Sequence, residues 1–316
     1  MDLRRATTDD LDRLAELAEA LQSRPERHVA YLSAERKAIA AELTDLGDWS
    51  MVSSVALHGA EPVGFLVGEV DEEIGRVWWL GPFVTQTAEA GAAGSGDGWA
   101  RAATALLEPG GRQLPAAVDQ EELAVDDRFV DLIGWAPDHG FAVDPASAIL
   151  TRPLEPVSPR ADRGDEQKDA ERDADGRDGG LVIRATTPDD AAVVGPLHDR
   201  LFPDTHLPGH RLLDGSERLV RLVAEVDGET VGYVALEHTA DDEAYIDYLG
   251  VDERWRRRGI GRELVEAGAA VGRRLGCRRA ALTVRTANDG ARALYRSIGF
   301  TEERILQPLR RGFRLP

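Results

Sequence analysis

Cysteine and lysine are scarce in this sequence. Its 316 residues include one cysteine, Cys277, so no disulfide can form within the chain, as is usual in a reducing cytoplasm. Lysine occurs only at Lys37 and Lys168, so nearly every cation is an arginine. No apolar run is long enough to span a membrane, and the start, MDLRRATTDD, lacks the apolar segment of a signal peptide. We therefore expect a cytoplasmic protein with no membrane partner.

The net charge of −19 is carried by the first part of the chain. Residues 181–316 hold 21 arginines and 21 acidic residues, whereas residues 1–180 hold 17 basic and 36 acidic residues. Because neither part is strongly basic, a nucleic-acid partner is not expected. We interpret the arginine bias as codon composition, with salt adaptation of an acidic surface as the alternative.

A charged segment separates the two parts. Residues 155–180, EPVSPRADRGDEQKDAERDADGRDGG, hold nine acidic and five basic residues, and Val157 is their only hydrophobic residue besides alanine. Such a stretch cannot bury enough apolar surface to offset its ordering entropy. We predict a disordered acidic linker between two domains, residues 1–154 and residues 181–316. An exposed, charged helix is the alternative.

The two predicted domains repeat one plan. Four landmarks recur in the same order, which makes chance an unsatisfactory explanation. They are RATTDD (5–10) and RATTPDD (184–190), EPVGFLVGEV (61–70) and ETVGYVALEH (229–238), VWWLGPFV (77–84) and YIDYLGV (245–251), and DHGFAV (138–143) and SIGFTE (297–302). Each half reads as strand, helix, two or three antiparallel strands, helix, strand, helix, strand. This order predicts a mixed α/β fold for both halves.

Residues 255–264, WRRRGIGREL, place three arginines beside a Gly-x-Gly turn. Apolar residues from Leu264 to Leu275 recur at helical spacing, so a helix is predicted to begin near Gly259–Gly261. The first turn of a helix presents unpaired N–H groups and the positive end of the macrodipole, and glycines there let an anion approach the backbone. Arginines add bidentate, permanently charged donors. The pattern is typical of a pyrophosphate site, although by itself it also describes a solvated basic helix start.

Together with its neighbours, this segment resembles the GNAT superfamily of acetyl-CoA-dependent N-acyltransferases. The strand YIDYLGV precedes it, and VRTANDGARALYRSIGF (284–300) follows it. The family's acyl-CoA signature, Arg/Gln-x-x-Gly-x-Gly/Ala, is matched by Arg256, Gly259 and Gly261. Its downstream signature, an asparagine followed by Leu-Tyr and Gly-Phe, is matched by Asn288, Leu294, Tyr295, Gly299 and Phe300. The resemblance covers roughly residues 181–306. It implies a mostly antiparallel, twisted sheet with helices on both faces in each domain.

The resemblance also implies acetyl-CoA as co-substrate, no metal, and direct transfer of the acetyl group to an amine. A backbone N–H near Leu249–Val251 would stabilise the oxyanion, and Gly250 would let its strand depart from the neighbouring one. Asn288 would bond the cofactor, although capping the next helix explains it equally well. The implied cofactor-binding residues are Leu249, Gly250, Val251, Arg256, Arg257, Arg258, Gly259, Ile260, Gly261, Arg262 and Asn288.

Two side chains are candidates for the chemistry. Tyr295 holds the family position whose hydroxyl lies near the sulfur, where it would protonate the leaving thiolate. A core tyrosine is the alternative. Strand period two puts Tyr245, Asp247, Leu249 and Val251 on one face, and Asp247 is the carboxylate there. Asp247 would accept the ammonium proton or hold a cationic amine, and a surface aspartate in a strand pair is the alternative.

The segment LFPDTHLPGHRLLDG (201–215) lies in the region that lines the acceptor pocket of that family. Asp204, His206 and His210 are therefore candidates for contact with the substrate. We reject a metal site because Pro208 and Gly209 would interrupt a helical ligand face.

The first domain lacks the corresponding site. In place of RRRGIG it has AEAGAAGSGDGWARAA (88–103), where Glu89 and Asp97 add negative charge. Aligning the two Gly-Phe pairs puts Ala136 at the tyrosine position. Two independent losses indicate a degenerate copy.

We predict an acetyl-CoA-dependent N-acetyltransferase whose active site lies in residues 181–316 and whose acceptor is the amine of a small molecule or a peptide. The alternative is a non-catalytic acyl-CoA-binding or regulatory module. A purely structural tandem scaffold would leave RRRGIG and Tyr295 unexplained.

Overall fold

The computed structural model of this protein describes residues 2–91, 98–155, 180–203, 205, 207–214 and 219–312. Residues 156–179 of the predicted linker lie outside the described residues. The chain divides into two units, each treated separately below. The first unit comprises Met1–Ala148, Arg285–Ala287 and Arg304–Pro316, and the second comprises Ile149–Val284 and Asn288–Glu303.

The first unit contains strands β1 to β6 and helices α1 to α5. Its elements are β1 (Asp2–Arg4), α1 (Leu11–Gln22), α2 (Arg36–Asp45), β2 (Ser53–His58), β3 (Glu61–Asp71), β4 (Arg76–Val84), α3 (Gln86–Gly91), α4 (Gly98–Gly111), β5 (Gln120–Asp126), α5 (Val130–Trp135) and β6 (Ala142–Val143). Strands β1 to β4 are antiparallel neighbours, and β4 and β5 are parallel.

The second unit contains the elements β8 (Leu181–Ala185), α6 (Ala191–Leu201), β9 (Leu219–Val226), β10 (Glu229–His238), β11 (Glu243–Val251), α7 (Ile260–Arg274), β12 (Arg279–Arg285) and α8 (Asp289–Ser297). Strands β8 to β11 are antiparallel neighbours, and β11 and β12 are parallel. Helix α7 packs on one face, where Gly268 lies against Leu236. On the other face, α6 buries Leu197 with Tyr233. The predicted mixed α/β fold, mostly antiparallel with helices on both faces, is confirmed.

The predicted repeat is visible in how each unit begins. In the first unit, the Asp10 carboxylate accepts two hydrogen bonds from Arg4, both 2.7 Å long, and one from the Thr7 N–H. In the second, Asp190 accepts the same set from Arg184, at 2.8 Å, and from Thr187. The RATT(P)DD sequences therefore build the same buried, charge-assisted start before α1 and α6.

The units do not coincide with two contiguous halves of the chain. Strand β7 (Ser147–Pro153) belongs to the second unit from Ile149 onward, where it is a neighbour of β12. The last strand, β13 (Thr301–Arg311), belongs to the first unit from Arg304 onward, where its residues 306–311 pair with β5. The predicted domain bounds, residues 1–154 and 181–316 joined by a linker at 155–180, stay a prediction. The fragment 1–154 would lack the β13 residues that pair with β5. The fragment 181–316 would lack β7, the neighbour of β12.

Arg152 shows what β7 contributes to the second unit. Its guanidinium donates to the Glu266 carboxylate at 2.8 and 3.2 Å and to the Ile298 carbonyl oxygen at 2.8 Å, and it lies 5.1 Å from the centre of the Phe300 ring. We expect Arg152→Ala to lower the free energy of unfolding by about 2–3 kcal/mol, since charged hydrogen bonds and a cation–π contact are lost together. Urea denaturation checks this value.

The control is Arg112→Ala, which breaks the exposed pair between Arg112 and Glu108 in α4 and should cost less than about 0.5 kcal/mol. Equal effects of the two substitutions would contradict a structural role for Arg152.

No helix among the described residues is long and apolar enough to cross a membrane.

Candidate functional site

Strands β11 and β12 diverge part-way along their length. They pair from Glu243 with Arg279 to Ile246 with Leu282, yet β11 continues to Val251 and β12 to Arg285. We call the gap between residues 247–251 and 283–284 the wedge. On its other side, β11 stays paired with β10 as far as Val251.

A β-bulge lies at the start of the wedge. Ile246 pairs with Leu236 and Tyr248 pairs with Ala235, so Asp247 is an extra residue that has no paired residue in β10. The departure of β11 therefore begins at Asp247, and the expectation that Gly250 permits it is wrong. Gly250 serves close packing instead, because a methyl group there would lie 2.5 Å from the Tyr233 ring.

The bulge also reverses the faces of the strand. Before it, Ala244 lies against α7, since a methyl group at Gly272 would come within 2.5 Å of its Cβ. After it, Leu249 and Val251 lie against α7, near Gly261. The prediction that Tyr245, Asp247, Leu249 and Val251 share one face is therefore wrong, because strict period two holds only in a strand without a bulge.

The backbone of β11 offers donors to the wedge. The Asp252 N–H donates to the Val231 carbonyl oxygen at 2.9 Å, towards β10. Because N–H directions alternate along a strand, the N–H groups of Val251 and Leu249 point away from β10, into the wedge. The Val251 carbonyl points the same way and accepts a hydrogen bond of 3.1 Å from Arg256 Nε.

Helix α7 begins at Ile260, as predicted, with Gly259 as its N-cap. The backbone N–H groups of residues 257–261, which we call the cradle, have no hydrogen-bond partner among the described residues. Arg257 and Gly259 are in the left-handed region, at φ of 65° and 89°. For Arg257 this conformation is uncommon, and such residues concentrate where a ligand is bound. Successive free N–H groups at a helix start form a binding site for an anion.

The arginine side chains of this segment are exposed and lie around the cradle. Arg258 lies over the Trp255 ring, 4.6 Å from its centre, and Arg262 donates to Ser297 Oγ at 2.8 Å. Arg256 is held between the Val251 carbonyl and Glu253. Ile260 is buried, so it is the backbone N–H and not the side chain that is available to the cradle. The structure thus brings together every predicted residue from Arg256 to Arg262.

Helix α8 carries the other two predicted side chains. Asn288 caps it, accepting a hydrogen bond of 3.1 Å from the Ala291 N–H. The Leu294 side chain lies beside Gly261, which links α8 to the cradle. Tyr295 is buried with its ring edge-on to Phe300, and its hydroxyl has no hydrogen-bond partner in the part of the chain that the structure describes. Burial raises the pKa of Tyr295 to about 12.

Asp247 lies in a charged environment on the sheet face opposite α7. Burial and, to a smaller extent, the negative charge of Glu237 raise its pKa to about 7, and the guanidinium of Arg221 opposes this shift. A carboxylate with this pKa exchanges protons near neutral pH, as a general base must.

Sequence reasoning missed a buried polar network on this face. The His198 Nε2–H donates to the Leu207 carbonyl oxygen at 2.7 Å, so Nδ1 accepts from the Tyr233 hydroxyl at 2.6 Å. Burial lowers the pKa of His198, which keeps the ring neutral. The Thr205 and Tyr248 hydroxyls are 2.5 Å apart. This network connects Thr205 and Leu207 to β10 and β11. Its one signal in the sequence is a histidine at an apolar helix position.

Of the residues predicted to contact substrate, Asp204 and His206 lie outside the described residues, and His210 lies in a short 3₁₀ turn, Gly209–Arg211. Among the described residues, no group of three or more His, Cys, Asp or Glu side chains could hold a metal ion.

Comparisons with known proteins show which family this chain belongs to. Residues 189–300 match the model of the Acetyltransferase (GNAT) family. An aminoglycoside N(6′)-acetyltransferase type 1 from Stenotrophomonas maltophilia is 35% identical over 147 residues, which cover 43% of this chain and 93% of that protein. The chain belongs to the GNAT acetyltransferase family.

Two solved GNAT structures share the fold of the whole chain. A GCN5-related N-acetyltransferase from Sphaerobacter thermophilus has a TM-score of 0.71 at 19% identity, covering 98% of this chain and 95% of that one. A tandem GNAT protein from the clavulanic acid biosynthesis pathway has a TM-score of 0.64 at 16% identity, covering 100% and 99%. At these identities the likeness shows the fold alone, and it supports the tandem arrangement.

The first GNAT-like unit has its own wedge, but the chain fills it. Strands β4 and β5 pair only from Arg76 to Trp78, so they also diverge. Beyond that point, the Ala30 N–H donates to the Ala124 carbonyl at 2.7 Å, and the Asp126 N–H donates to the His28 carbonyl at 3.1 Å. Residues 28–30 thus form an antiparallel bridge to β5 at the place that corresponds to the wedge of the second unit.

The side chain of Gln22 holds this filling segment in place. It accepts a hydrogen bond of 2.7 Å from the Val29 N–H and donates one of 2.9 Å to the Val29 carbonyl. The start of α4 is also covered, since a methyl group at Gly98 would lie 2.1 Å from the Glu89 carbonyl oxygen. Gly94, Gly96 and Asp97, which the sequence places there, lie outside the described residues.

Proposed function

We propose that this protein is an acetyl-CoA-dependent N-acetyltransferase with one active site, in the second unit. The observation that carries the proposal is the cradle of five unpaired N–H groups at residues 257–261, ringed by arginines and lying beside the wedge. An exposed anion site of this kind suits a diphosphate.

The residues fit coenzyme A in two places. The cradle and the guanidinium groups of Arg256, Arg257 and Arg258 would hold its diphosphate. The pantetheine arm is rich in amides and would pair with the free edge of β11, as a peptide does with a sheet edge. Acetyl-CoA, when bound, would supply as a thioester the acetyl group that is transferred, and the coenzyme A thiol would be the leaving group.

The protein's own groups would then do three things. Asp247 takes a proton from the acceptor ammonium, which frees the amine to attack. The N–H groups of Leu249 and Val251 donate to the carbonyl oxygen as negative charge develops on it. The Tyr295 hydroxyl, which has no other partner among the described residues, donates a hydrogen bond to the leaving sulfur.

We propose a small-molecule amine as acceptor. The relative from Stenotrophomonas maltophilia is named for acetylating an aminoglycoside, which makes aminoglycosides the first acceptors to test. A peptide amine is the second class. The non-catalytic alternative, an acyl-CoA-binding module, shares the cradle but gives no role to the shifted pKa of Asp247 or to the unpaired Tyr295 hydroxyl.

We expect acetyl-CoA to bind with a stoichiometry of one per chain, because residues 28–30 fill the first unit's wedge. Titration calorimetry measures the stoichiometry, and release of free thiol with a panel of amines measures turnover. Gly261→Asp, which puts a carboxylate in the cradle, should weaken binding at least about 100-fold, roughly 3 kcal/mol. The control is Gly134→Asp in the first unit, where an added Cβ would meet no atom within 4 Å outside its own helix and chain neighbours.

Two other outcomes would decide against parts of the proposal. Binding without turnover on any amine would favour the acyl-CoA-binding module. A stoichiometry of two would show that the segment 28–30 does not exclude the ligand from the first unit.

A further inference from the structure

Arg221 lies on the acceptor side of the second unit. It is in β9, opposite Ala235 of β10, and Ala235 is in turn opposite Tyr248 of β11. The three residues form a row across the sheet, one residue from the bulge at Asp247. Because Ala235 is small, the arginine side chain can extend over it towards β11.

The guanidinium of Arg221 is half-buried, and most of its hydrogen-bond donors have no partner among the described residues. Its one hydrogen bond to the described residues goes to the Asp214 carbonyl oxygen, at 2.5 Å, although a guanidinium has five donors. No carboxylate of the described residues lies within ion-pair distance of it. Other half-buried or exposed arginines in this unit do have such partners, among them Arg184, with Asp190 and Glu225, and Arg279, with Glu243 and Glu303.

The surroundings of Arg221 favour an anion, which the described part of the chain does not supply at ion-pair distance. Burial lowers the pKa of Arg221, so its charge is not fully compensated. Its electrostatic partner across the row is Asp247, which in turn is repelled by Glu237. A guanidinium with free donors beside a general base is placed to bind one group of a substrate while the base acts on another.

We propose that the acceptor carries an anionic group close to its amine, and that Arg221 binds this group while Asp247 receives the proton of the ammonium. This inference rests on the proposed function, and it favours amino acids, amino-sugar phosphates and similar compounds as acceptors over aminoglycosides, which carry no anionic group. Carboxylate and phosphate are the two sources of the anion, since both fit a guanidinium.

Matched pairs of amines test the proposal. The pairs are lysine and lysinamide, γ-aminobutyrate and its amide, and glucosamine and its phosphate ester. The first two present a carboxylate and the third a phosphate, so they separate the two sources. The wild-type protein should show kcat/KM about 10- to 100-fold higher for the anionic member of at least one pair, the range that a charge-assisted hydrogen bond provides.

Arg221→Gln should abolish this preference, so that the ratio of kcat/KM between the two members of each pair falls to about one. Arg278→Gln, a change to an exposed arginine whose side chain is 71% accessible, should keep the preference. If Arg221→Gln lowers both members of each pair equally, Arg221 serves Asp247 and not the substrate, and the proposal is overturned. Absence of any preference in the wild-type protein overturns it as well.

A binding experiment separates this proposal from the proposed function. Titration of each pair into protein saturated with coenzyme A needs no turnover. Tighter binding of the anionic member, lost in Arg221→Gln, supports the inference even if no amine is acetylated, in which case only the catalytic proposal fails. Equal binding of both members in the presence of turnover overturns the inference alone.

Discussion

Asp247→Asn should lower kcat by about 100- to 10,000-fold while leaving acetyl-CoA affinity nearly unchanged. A positioned general base contributes an effect of this size, and asparagine keeps the shape but cannot take a proton. The position of the bulge explains why the substitution should lower kcat and leave acetyl-CoA affinity nearly unchanged. It places Asp247 at the point where β11 leaves β12, on the face opposite the cradle-bearing helix α7. Steady-state kinetics and calorimetry with acetyl-CoA measure the two quantities.

The pH dependence of kcat/KM is a second test of the role of Asp247. The base acts in its ionised form, and burial raises the pKa of Asp247 to about 7. The kcat/KM of the wild-type protein should therefore rise with pH and level off above pH of about 7, and that of Asp247→Asn should show no such step. Glu237→Gln removes a repelling charge, so it should move the midpoint to lower pH with the plateau kept. A wild-type profile without a step near neutral pH would rule out Asp247 as the base.

Local signals in the sequence were enough to predict the fold and the start of α7. The RATT motif, the alternating strands and the glycines before Leu264 each report on residues close to one another in the chain, and the structure confirms the elements that they predict. Capping by Asn288 belongs to the same class, because its bond to Ala291 spans three residues.

Features that depend on distant partners could not be predicted in this way. The bulge at Asp247 exists only in relation to β10, so period two in β11 alone gave the wrong faces. The segment 28–30 resembles any loop until it meets β5, almost a hundred residues later. The division of β7 and β13 between units is likewise set by pairing over more than 100 residues, for which a single sequence carries no local signal.

Tyr295 is the second residue for which a large effect on turnover is expected. Its hydroxyl would donate to the sulfur as the carbon–sulfur bond breaks. Burial raises its pKa to about 12, well above about 8.5, the usual value for a thiol. Full proton transfer from tyrosine to thiolate is therefore uphill, and the physical argument favours a hydrogen bond that strengthens as charge develops.

Tyr295→Phe should accordingly reduce kcat by about 10- to 1,000-fold, less than the loss of a proton acceptor at Asp247, because a hydrogen bond to developing charge is worth about 1.5–3 kcal/mol or somewhat more in a dry site. The ring, which packs edge-on to Phe300, is kept in this substitution, so folding and acetyl-CoA binding should be preserved. The matched control is Tyr245→Phe. The Tyr245 hydroxyl already pairs with Thr283 Oγ1 at 2.7 Å, so its loss should change kcat less. An acyl donor with a more acidic thiol leaving group should partly restore turnover in Tyr295→Phe, since a better leaving group needs less help. Unchanged kcat in this variant, with acetyl-CoA still bound, would leave Tyr295 as a core residue and place the stabilisation of the leaving group elsewhere in the wedge.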